Sequence, residues 1–414
     1  MNEAKRKFRL TSLERAWILY DVGNSAFVLL VATLIPIFFN ALAEGGGLSS
    51  VEYLAYWGYA ASAVTVITAV LSPILGTLAD TRNFKKPIFT FCVAVGVIGC
   101  CAMGMASTWL PFLLIFILAK VGFSGSLVFY DSMLSDVTVP DRMDEVSSKG
   151  YAWGYIGSCV PFVVCLALVL GAGSIGISQM TALNLALFIT AAWWLVTTLP
   201  LLRQYKQVHF VEVQEHAIRQ SFARIGHTLR HLKEDRQVFW FLLAFFCYID
   251  GVYTIIDMAT AYGTALGLDT TGLLLALLVT QIVAFPSALV FGRLSGQYPS
   301  GTLIPVCIAA YAGIALFAFF LKHQWQFWVL AVVVGMFQGG IQALSRSHFA
   351  KIIPPEKSGE YFGLFDICGK GASFLGTMIV SVGSQLTGSA NVGVGSLIVL
   401  FIVGFVLFRV SDQK

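Results

Sequence analysis

Gly76-Thr-Leu-Ala-Asp80-Thr-Arg-Asn-Phe-Lys-Lys-Pro-Ile88 ends one long apolar run and begins the next. Just over half the chain later, Gly292-Arg-Leu-Ser-Gly-Gln-Tyr-Pro-Ser-Gly-Thr-Leu-Ile304 does the same. Other pairs keep the order. Pro140-Asp141 is matched at almost the same offset by Pro355-Glu356, and Tyr20-Asp21 by Tyr248-Ile-Asp250. Each match is short, but the shared order and near-constant offset point to a parallel duplication with a site between the repeats.

The material between these landmarks is apolar. The chain has 414 residues, 57% hydrophobic and 12% charged, with mean hydropathy +0.80. Soluble proteins carry about 25% charged residues. Such a surface cannot be wet all over, which excludes soluble enzymes, nucleic-acid binders and disordered scaffolds. Long runs rather than short alternating strands favour a helical bundle over a barrel. The cysteines lie inside apolar runs without metal-ligand spacing and read as small buried hydrophobes.

Runs of about 20 apolar residues cross a membrane. Twelve are expected, at 16–39, 54–78, 87–106, 109–133, 150–171, 181–202, 238–262, 272–295, 303–321, 326–349, 358–383 and 390–408. The twelve-span arrangement places 23 of the 26 Lys and Arg on the face that holds both termini and only Lys322 on the other, while Lys120 and Lys370 fall within spans. That imbalance predicts cytoplasmic termini in a bacterial inner membrane. The expected organisation is a six-helix unit over 1–202, a linker over 203–236 and a second six-helix unit over 237–414. Within the linker, Ile218, Phe222, Ile225, Leu229 and Leu232 recur at helical spacing among basic residues. They predict an amphipathic helix on the membrane face, a latch between units or a solvated connection.

The Gly76–Pro87 stretch resembles the loop signature Gly-x-Leu-Ala-Asp-Arg-x-Gly-Arg-Lys of the major facilitator superfamily, with Thr81, Asn83 and Phe84 as departures. Tyr20-Asp-Val-Gly-Asn-Ser-Ala-Phe27, Tyr248-Ile-Asp-Gly-Val-Tyr-Thr254, Gly339-Gly-Ile-Gln-Ala-Leu-Ser-Arg-Ser347 and Glu360-Tyr-Phe-Gly-Leu-Phe-Asp366 resemble its vacuole-effluxer-like family. The fungal autophagy-related member of that family exports amino acids. The resemblance covers nearly the whole chain. It implies a major facilitator fold in which spans 1, 4, 7 and 10 line a cavity, span 11 flanks it, and spans 3, 6, 9 and 12 face lipid.

Ionisable groups at bilayer depth cost about 2.5–3.5 kcal/mol each on insertion scales, so they seek a cavity or a partner. Spans 3, 6, 9 and 12 have none in their cores. Asp21 falls in span 1, Lys120 and Asp131 in span 4, Asp250 and Asp257 in span 7, Arg346 in span 10, and Asp366 and Lys370 in span 11. At about 1.5 Å per residue, Lys120, Asp250 and Lys370 lie near the midplane. Asp250 is the leading candidate for a proton- or cation-coupling carboxylate, with a permanent Asp–Lys pair as the alternative. Asp21 is its quasi-symmetric counterpart or a helix-start carboxylate. Lys120 and Lys370 suit an anionic group on a substrate, or are neutralised by Asp366 and Asp250. Asp257 shares the helix face of Asp250. Asn24, Trp153, Tyr155, Tyr253, Tyr311 and Gln342 are candidates to complete an amphipathic pocket.

Gly76, Asp80, Arg82, Asp131 and Arg346 are gating candidates. The resemblance sets Asp80 against the start of span 11. Asp131 and Arg346, separated by the repeat offset, occupy equivalent places and are expected in ion pairs that break when the inner face opens. No Walker lysine motif or His-rich metal cluster is present in the sequence. The expectation is therefore a monomeric secondary transporter, with no enzyme activity, cofactor, metal or nucleic-acid partner. It would move an amino acid or related amphipathic metabolite by alternating access, with efflux favoured and protons as a candidate coupling ion. Export of organic anions or drugs, and a non-transporting sensor or scaffold, stand as alternatives.

Overall fold

The computed structural model of the protein describes residues 8–212, 230 and 232–412, apart from the side chains of some helix residues, 370–374 among them. The predicted linker helix lies outside the described residues except at its end, and so does the side chain of Lys370.

The described chain is helical, with one isolated bridge between Thr81 and Val211. The first crossing is Ser12–Ala32 (α1) continued by Leu34–Gly45 (α2). Ser50–Ala79 (α3), Lys85–Met103 (α4) and Trp109–Ser132 (α5) follow. A short turn of helix, Leu134–Val137 (α6), leads to Pro140–Leu170 (α7) and Gln179–Gln204 (α8). The last six crossings begin with Arg236–Ala265 (α9), Thr270–Leu294 (α10) and Ser300–Ala318 (α11). Gln324–Ile352 (α12) and Ser358–Thr387 (α13) come next, and Ala390–Gly395 (α14) with Ile398–Asp412 (α15) closes the set. Among the described residues 11 of these crossings are long and apolar enough to span a membrane. The twelfth, α13, is 30 residues long and coincides with the expected eleventh span. The protein is therefore a twelve-helix bundle, as expected.

Helix ends differ from the expected limits for local reasons. The first helix starts at Ser12 because Thr11 and Glu14 form a reciprocal capping box. The fifth crossing begins at Pro140, well before the apolar run, because proline at the first helical turn costs no hydrogen bond and Asp141 suits the positive helix end. The last crossing is divided into α14 and α15.

The two sets of six meet along α3–α13 and α7–α10, with α7 also against α12. Exchanging the sets maps the first contact onto the second: crossing 2 on 11 becomes crossing 8 on 5. The paired glycines of the repeat lie in these contacts. A methyl at Gly76 or at Gly359 would collide with the other's carbonyl. A methyl at Gly292, the repeat counterpart of Gly76, would stand 2.8 Å from the Cβ of Ser148. Small residues permit such close backbone approach.

Both chain ends share one face, termed the terminal face below. Ser12 at the start of α1 bonds Gln204 at the end of α8, and Ser411 near the end of α15 bonds Gln237 at the start of α9. Gly76→Val is expected to lower stability by about 1–3 kcal/mol through overpacking. Gly58→Val, where nothing lies within 4 Å of the added carbon, should be neutral. Thermal unfolding of the two variants in detergent is the check.

Candidate functional site

A cavity of about 390 Å³ lies between the two sets of crossings. Its walls come from α1, α5 and α7 on one side and α9, α10, α12 and α13 on the other. None of its lining belongs to α4, α8, α11 or α15, the crossings expected to face lipid. These four crossings carry no ionisable group in their cores, as suits helices that meet hydrocarbon on a broad face.

The cavity gathers Asp21, Asn24, Lys120, Tyr155, Tyr253, Asp257, Gln342 and Asp366, together with Asp131 and Arg346. Lys120 acts electrostatically on Asp257 across the cavity and lies 4.8 Å from the ring centre of Phe123. Tyr155 donates to Gln342 at 3.5 Å, and Ser72 donates to Asp366 at 2.7 Å.

Three expected residues lie elsewhere. Asp250 is fully buried and does not line the cavity. It accepts from the Gly376 amide at 2.9 Å and from Thr254 at 3.3 Å. Gly376 has no side chain, so α13 closes on α9 at this level and walls the carboxylate off. Trp153 is half exposed and meets Phe285 edge-on. Tyr311 is buried against Phe401 inside the last six crossings. Trp153 and Tyr311 meet other neighbours, while Asp250, on the face of α9 that also carries Asp257, is covered by α13 at Gly376.

The terminal side of the cavity is shut by two groups of ties. In the first, Arg346 enters a socket built from the first six crossings. Its Nη1 is 3.0 Å from Asp131 and 4.0 Å from Asp21. Its Nε and Nη2 donate to the hydroxyl and carbonyl of Ser147 at 2.9 and 3.0 Å. The guanidinium stacks over Trp17 at 4.7 Å and Tyr151 at 4.3 Å. Beside it Asp144 holds Lys351 at 2.7 Å and Ser347 at 2.6 Å.

In the second, Asp80 accepts from the Gly359 and Glu360 amides at 2.7 and 2.8 Å. A carboxylate there satisfies the unpaired donors at the positive end of α13. Lys85, buried, donates to Ser358 at 2.8 Å and lies 3.7 Å from Asp80 and 3.8 Å from Asp136. Asp136 in turn accepts from Tyr205 at 2.5 Å and from the amide and ring of His209 at 2.8 and 3.0 Å. Arg82 stands apart from this lock. It bonds Glu212 at 3.4 Å and covers Phe210, both within the segment that leaves α8.

Lys85, Asp136, Asp144, Ser147, Tyr151 and Lys351 were not singled out by sequence reasoning. Their partners lie in distant stretches of the chain, and no local spacing announces such a pairing. The one available signal was the recurrence of charge beside Pro140 and Pro355. These side-chain bonds between the two sets of crossings all lie at the cavity or on its terminal side.

Burial pushes the Asp80 carboxyl up to about 6, against the lowering pull of Lys85 and the two amides. The hydrogen bond to Asp136 holds the His209 ring above its ordinary value of 6.5. For Asp136, burial works to raise the carboxyl, but the His209 bond and Lys85 outweigh it and hold the group below its ordinary range.

Comparison with known proteins follows the same lines. The sequence model of the family described as "Vacuole effluxer Atg22 like" matches residues 12–141 and 135–414. The chain is 42% identical over 411 residues to an uncharacterised MFS-type transporter, YxiO, of Bacillus subtilis, covering 98% of this chain and 96% of that one. It is 24% identical over 430 residues to autophagy-related protein 22 of Coccidioides immitis, covering 83% and 70%. Among solved structures, the human organic anion transporter MFSD10 superposes with a TM-score of 0.72 at 13% identity, covering 96% of this chain and 98% of that one. The transporter FucP in its outward conformation gives 0.72 at 17% identity, covering 97% and 98%. These structural likenesses speak to the fold.

Two outcomes are expected. Arg346→Ala strands Asp131 and Asp21 in the socket and should cost about 3–5 kcal/mol. Asp131→Arg combined with Arg346→Asp should recover most of that loss, measured by thermal unfolding. Asp80 and His209 both have raised values in the folded protein, so their stabilisation is full below the unfolded values and is lost as pH rises through the folded ones. Thermal stability should therefore fall from about pH 4 through about pH 6 as Asp80 titrates, and further above pH 6.5 as His209 does. Asp80→Asn should flatten the part of the slope below pH 6, and His209→Gln the part above it.

Proposed function

Because the chain belongs to the vacuole effluxer Atg22-like family of major facilitator transporters, we propose that it carries an amino acid or a related amphipathic metabolite out of the cytoplasm by alternating access of its two six-helix units, 1–202 and 237–414. The observation that carries this reading is the shared cavity with charges of both signs. Four described lining carboxylates, Asp21, Asp131, Asp257 and Asp366, face two cations, Lys120 and Arg346. Such a lining suits a small solute that bears an ammonium beside its carboxylate better than it suits an organic anion. A scaffold would have no use for ionised groups held at this depth, where each is costly.

The terminal face is read as cytoplasmic, from the basic residues that crowd it. On that reading the bundle stands closed to the cytoplasm, in a bacterial inner membrane, and acts as a monomer. The ties from Asp80, Arg346 and Asp144 are the cytoplasmic gate, and they break when the units rock apart. Gly76 acts through the close approach of α3 to α13, while Arg82 anchors the linker segment. Proton coupling is assigned to Asp257, which meets the cavity and Lys120. The Asp257 carboxylate and the carboxylate of an arriving substrate compete for the same ammonium, and protonation of Asp257 withdraws it from that competition. Asp250, cut off from the cavity, holds α9 against α13. Lys370, one turn after Asp366 in the sequence, is kept as a substrate-binding candidate.

A thermal-shift screen of the purified protein against amino acids, peptides and organic acids identifies the cargo. Counterflow of any hit in liposomes then tests transport. Asp257→Asn should keep counterflow and lose accumulation driven by a pH gradient, while Asp250→Asn should keep both. Full pH-driven accumulation by Asp257→Asn would remove the coupling assignment, and an absence of counterflow for every hit would remove the transport reading.

A further inference from the structure

At the floor of the cavity three buried polar atoms stand together without hydrogen-bond partners. They are Asp21 Oδ2, Asn24 Nδ2 and the Tyr130 hydroxyl. Asp21, Asn24 and Tyr130 are 6%, 2% and 0% exposed, and all three line the cavity. Asn24 lies one helical turn beyond Asp21 on α1, and Tyr130 faces the same carboxylate from α5. Both approach Asp21 as donors at the margin of hydrogen-bond geometry, leaving the corner loosely tied. Buried polar groups are almost always satisfied, so a cluster of unsatisfied ones bordering a cavity marks a place for a polar visitor. The visitor must donate to a carboxylate and a phenol oxygen and accept from an amide NH2. An ammonium next to a carboxylate meets all three demands.

The same Asp21 Oδ2 lies 4.0 Å from Arg346 Nη1, beyond hydrogen-bond reach, while Arg346 spends its bonds on Asp131 and Ser147. Asp21 thus contributes charge to the gate arginine without being consumed by it. Lys120 and Asp257 occupy another level. Lys120 and Asp131 are three helical turns apart along α5, about 16 Å at the helical rise. The floor corner is therefore a station distinct from the Lys120–Asp257 pair.

We propose that Asp21 and Tyr130 form the subsite for the substrate's primary ammonium group, with the Asn24 NH2 meeting the adjoining carboxylate, and that filling it loosens Arg346 from its socket. The inference rests on the reading that the cavity carries a small amphipathic solute. An ammonium at Asp21 neutralises a charge that holds Arg346 and sets a like charge beside the guanidinium. Both effects favour release of Asp131 and opening of the terminal side, so occupancy of the floor triggers the gate. An empty cavity leaves it shut.

The test uses the full-length protein and three matched probe series, built on the side chains of phenylalanine, leucine and lysine. Each series contains the amino acid, the amine lacking the carboxylate and the acid lacking the ammonium. In at least one series the amino acid and amine should bind at least about ten-fold more tightly than the acid, as expected for a charge-assisted hydrogen bond. Asp21→Asn should erase that preference, and Asp250→Asn, outside the cavity, should keep it. Asn24→Leu should weaken the amino acid towards the amine, because only the amino acid brings a carboxylate to that NH2. Hydrogen exchange adds a readout of the gate. The bound amine should speed exchange in 140–151 and 344–352 in the wild type and leave Asp21→Asn unchanged. Equal binding of acids and amines, or a preference that survives Asp21→Asn, overturns the subsite and leaves water as the occupant of the corner. The transport reading survives that result if any probe shows counterflow, whereas neither binding nor counterflow by any probe overturns both.

Discussion

The guanidinium of Arg346 is carried by one set of crossings and buried in the other. Removing a cation from water costs several kcal/mol, returned only if its donors and charge are met in the right geometry. Here they are met from three helices at once: Asp131 on α5, Ser147 on α7, and the ring of Trp17 with the charge of Asp21 on α1. A planar fork with five fixed donors cannot slide gradually out of such a socket, because partial withdrawal strands both the guanidinium and the carboxylates. On the proposed gating reading, the terminal face is then either fully shut or released, with no stable arrangement between.

Duplication explains where this lock sits. Asp131 and Arg346 are equivalent positions of the two repeats, yet they touch. Equivalent residues near a pseudo-two-fold axis face one another, so an identical pair of charges would repel. Divergence to opposite signs turns that geometry into attraction. The glycine contacts follow a different logic. Gly76 and Gly292 have kept the same residue because both copies of the interface demand the same thing, a backbone close enough to touch its neighbour. Asp80 is the asymmetric addition. It meets the amides of Gly359 and Glu360, whereas the equivalent stretch after Gly292 has no carboxylate to offer.

Outside the membrane the lock continues into the segment that leaves α8. Tyr205 and His209 converge on Asp136, and Val211 exchanges backbone bonds with the Asp80–Arg82 turn. Lys85 joins this cluster to the start of α13 through Ser358. The connection between the two repeats is therefore fastened to the very turn that closes on the second repeat. Movement of that turn and of the connecting segment cannot be independent.

The amino-acid sequence alone determined the number of crossings and the shared face of the two ends. These follow from transfer free energies that sum over about 20 neighbouring residues, and a run of apolar side chains expresses that sum without reference to anything distant. The duplication offset likewise anticipated that Asp131 and Arg346 would correspond. The tertiary structure alone decided which charges meet. Asp250 and Asp257 lie on one face of α9, yet the first is sealed by α13 at Gly376 and the second opens to the cavity. Arg82 and Lys85 are near neighbours in one turn, yet one reaches the connecting segment and the other the buried lock. Details of helix-to-helix packing separate these outcomes. Those are fixed by contacts between segments far apart in the chain, which no local pattern encodes.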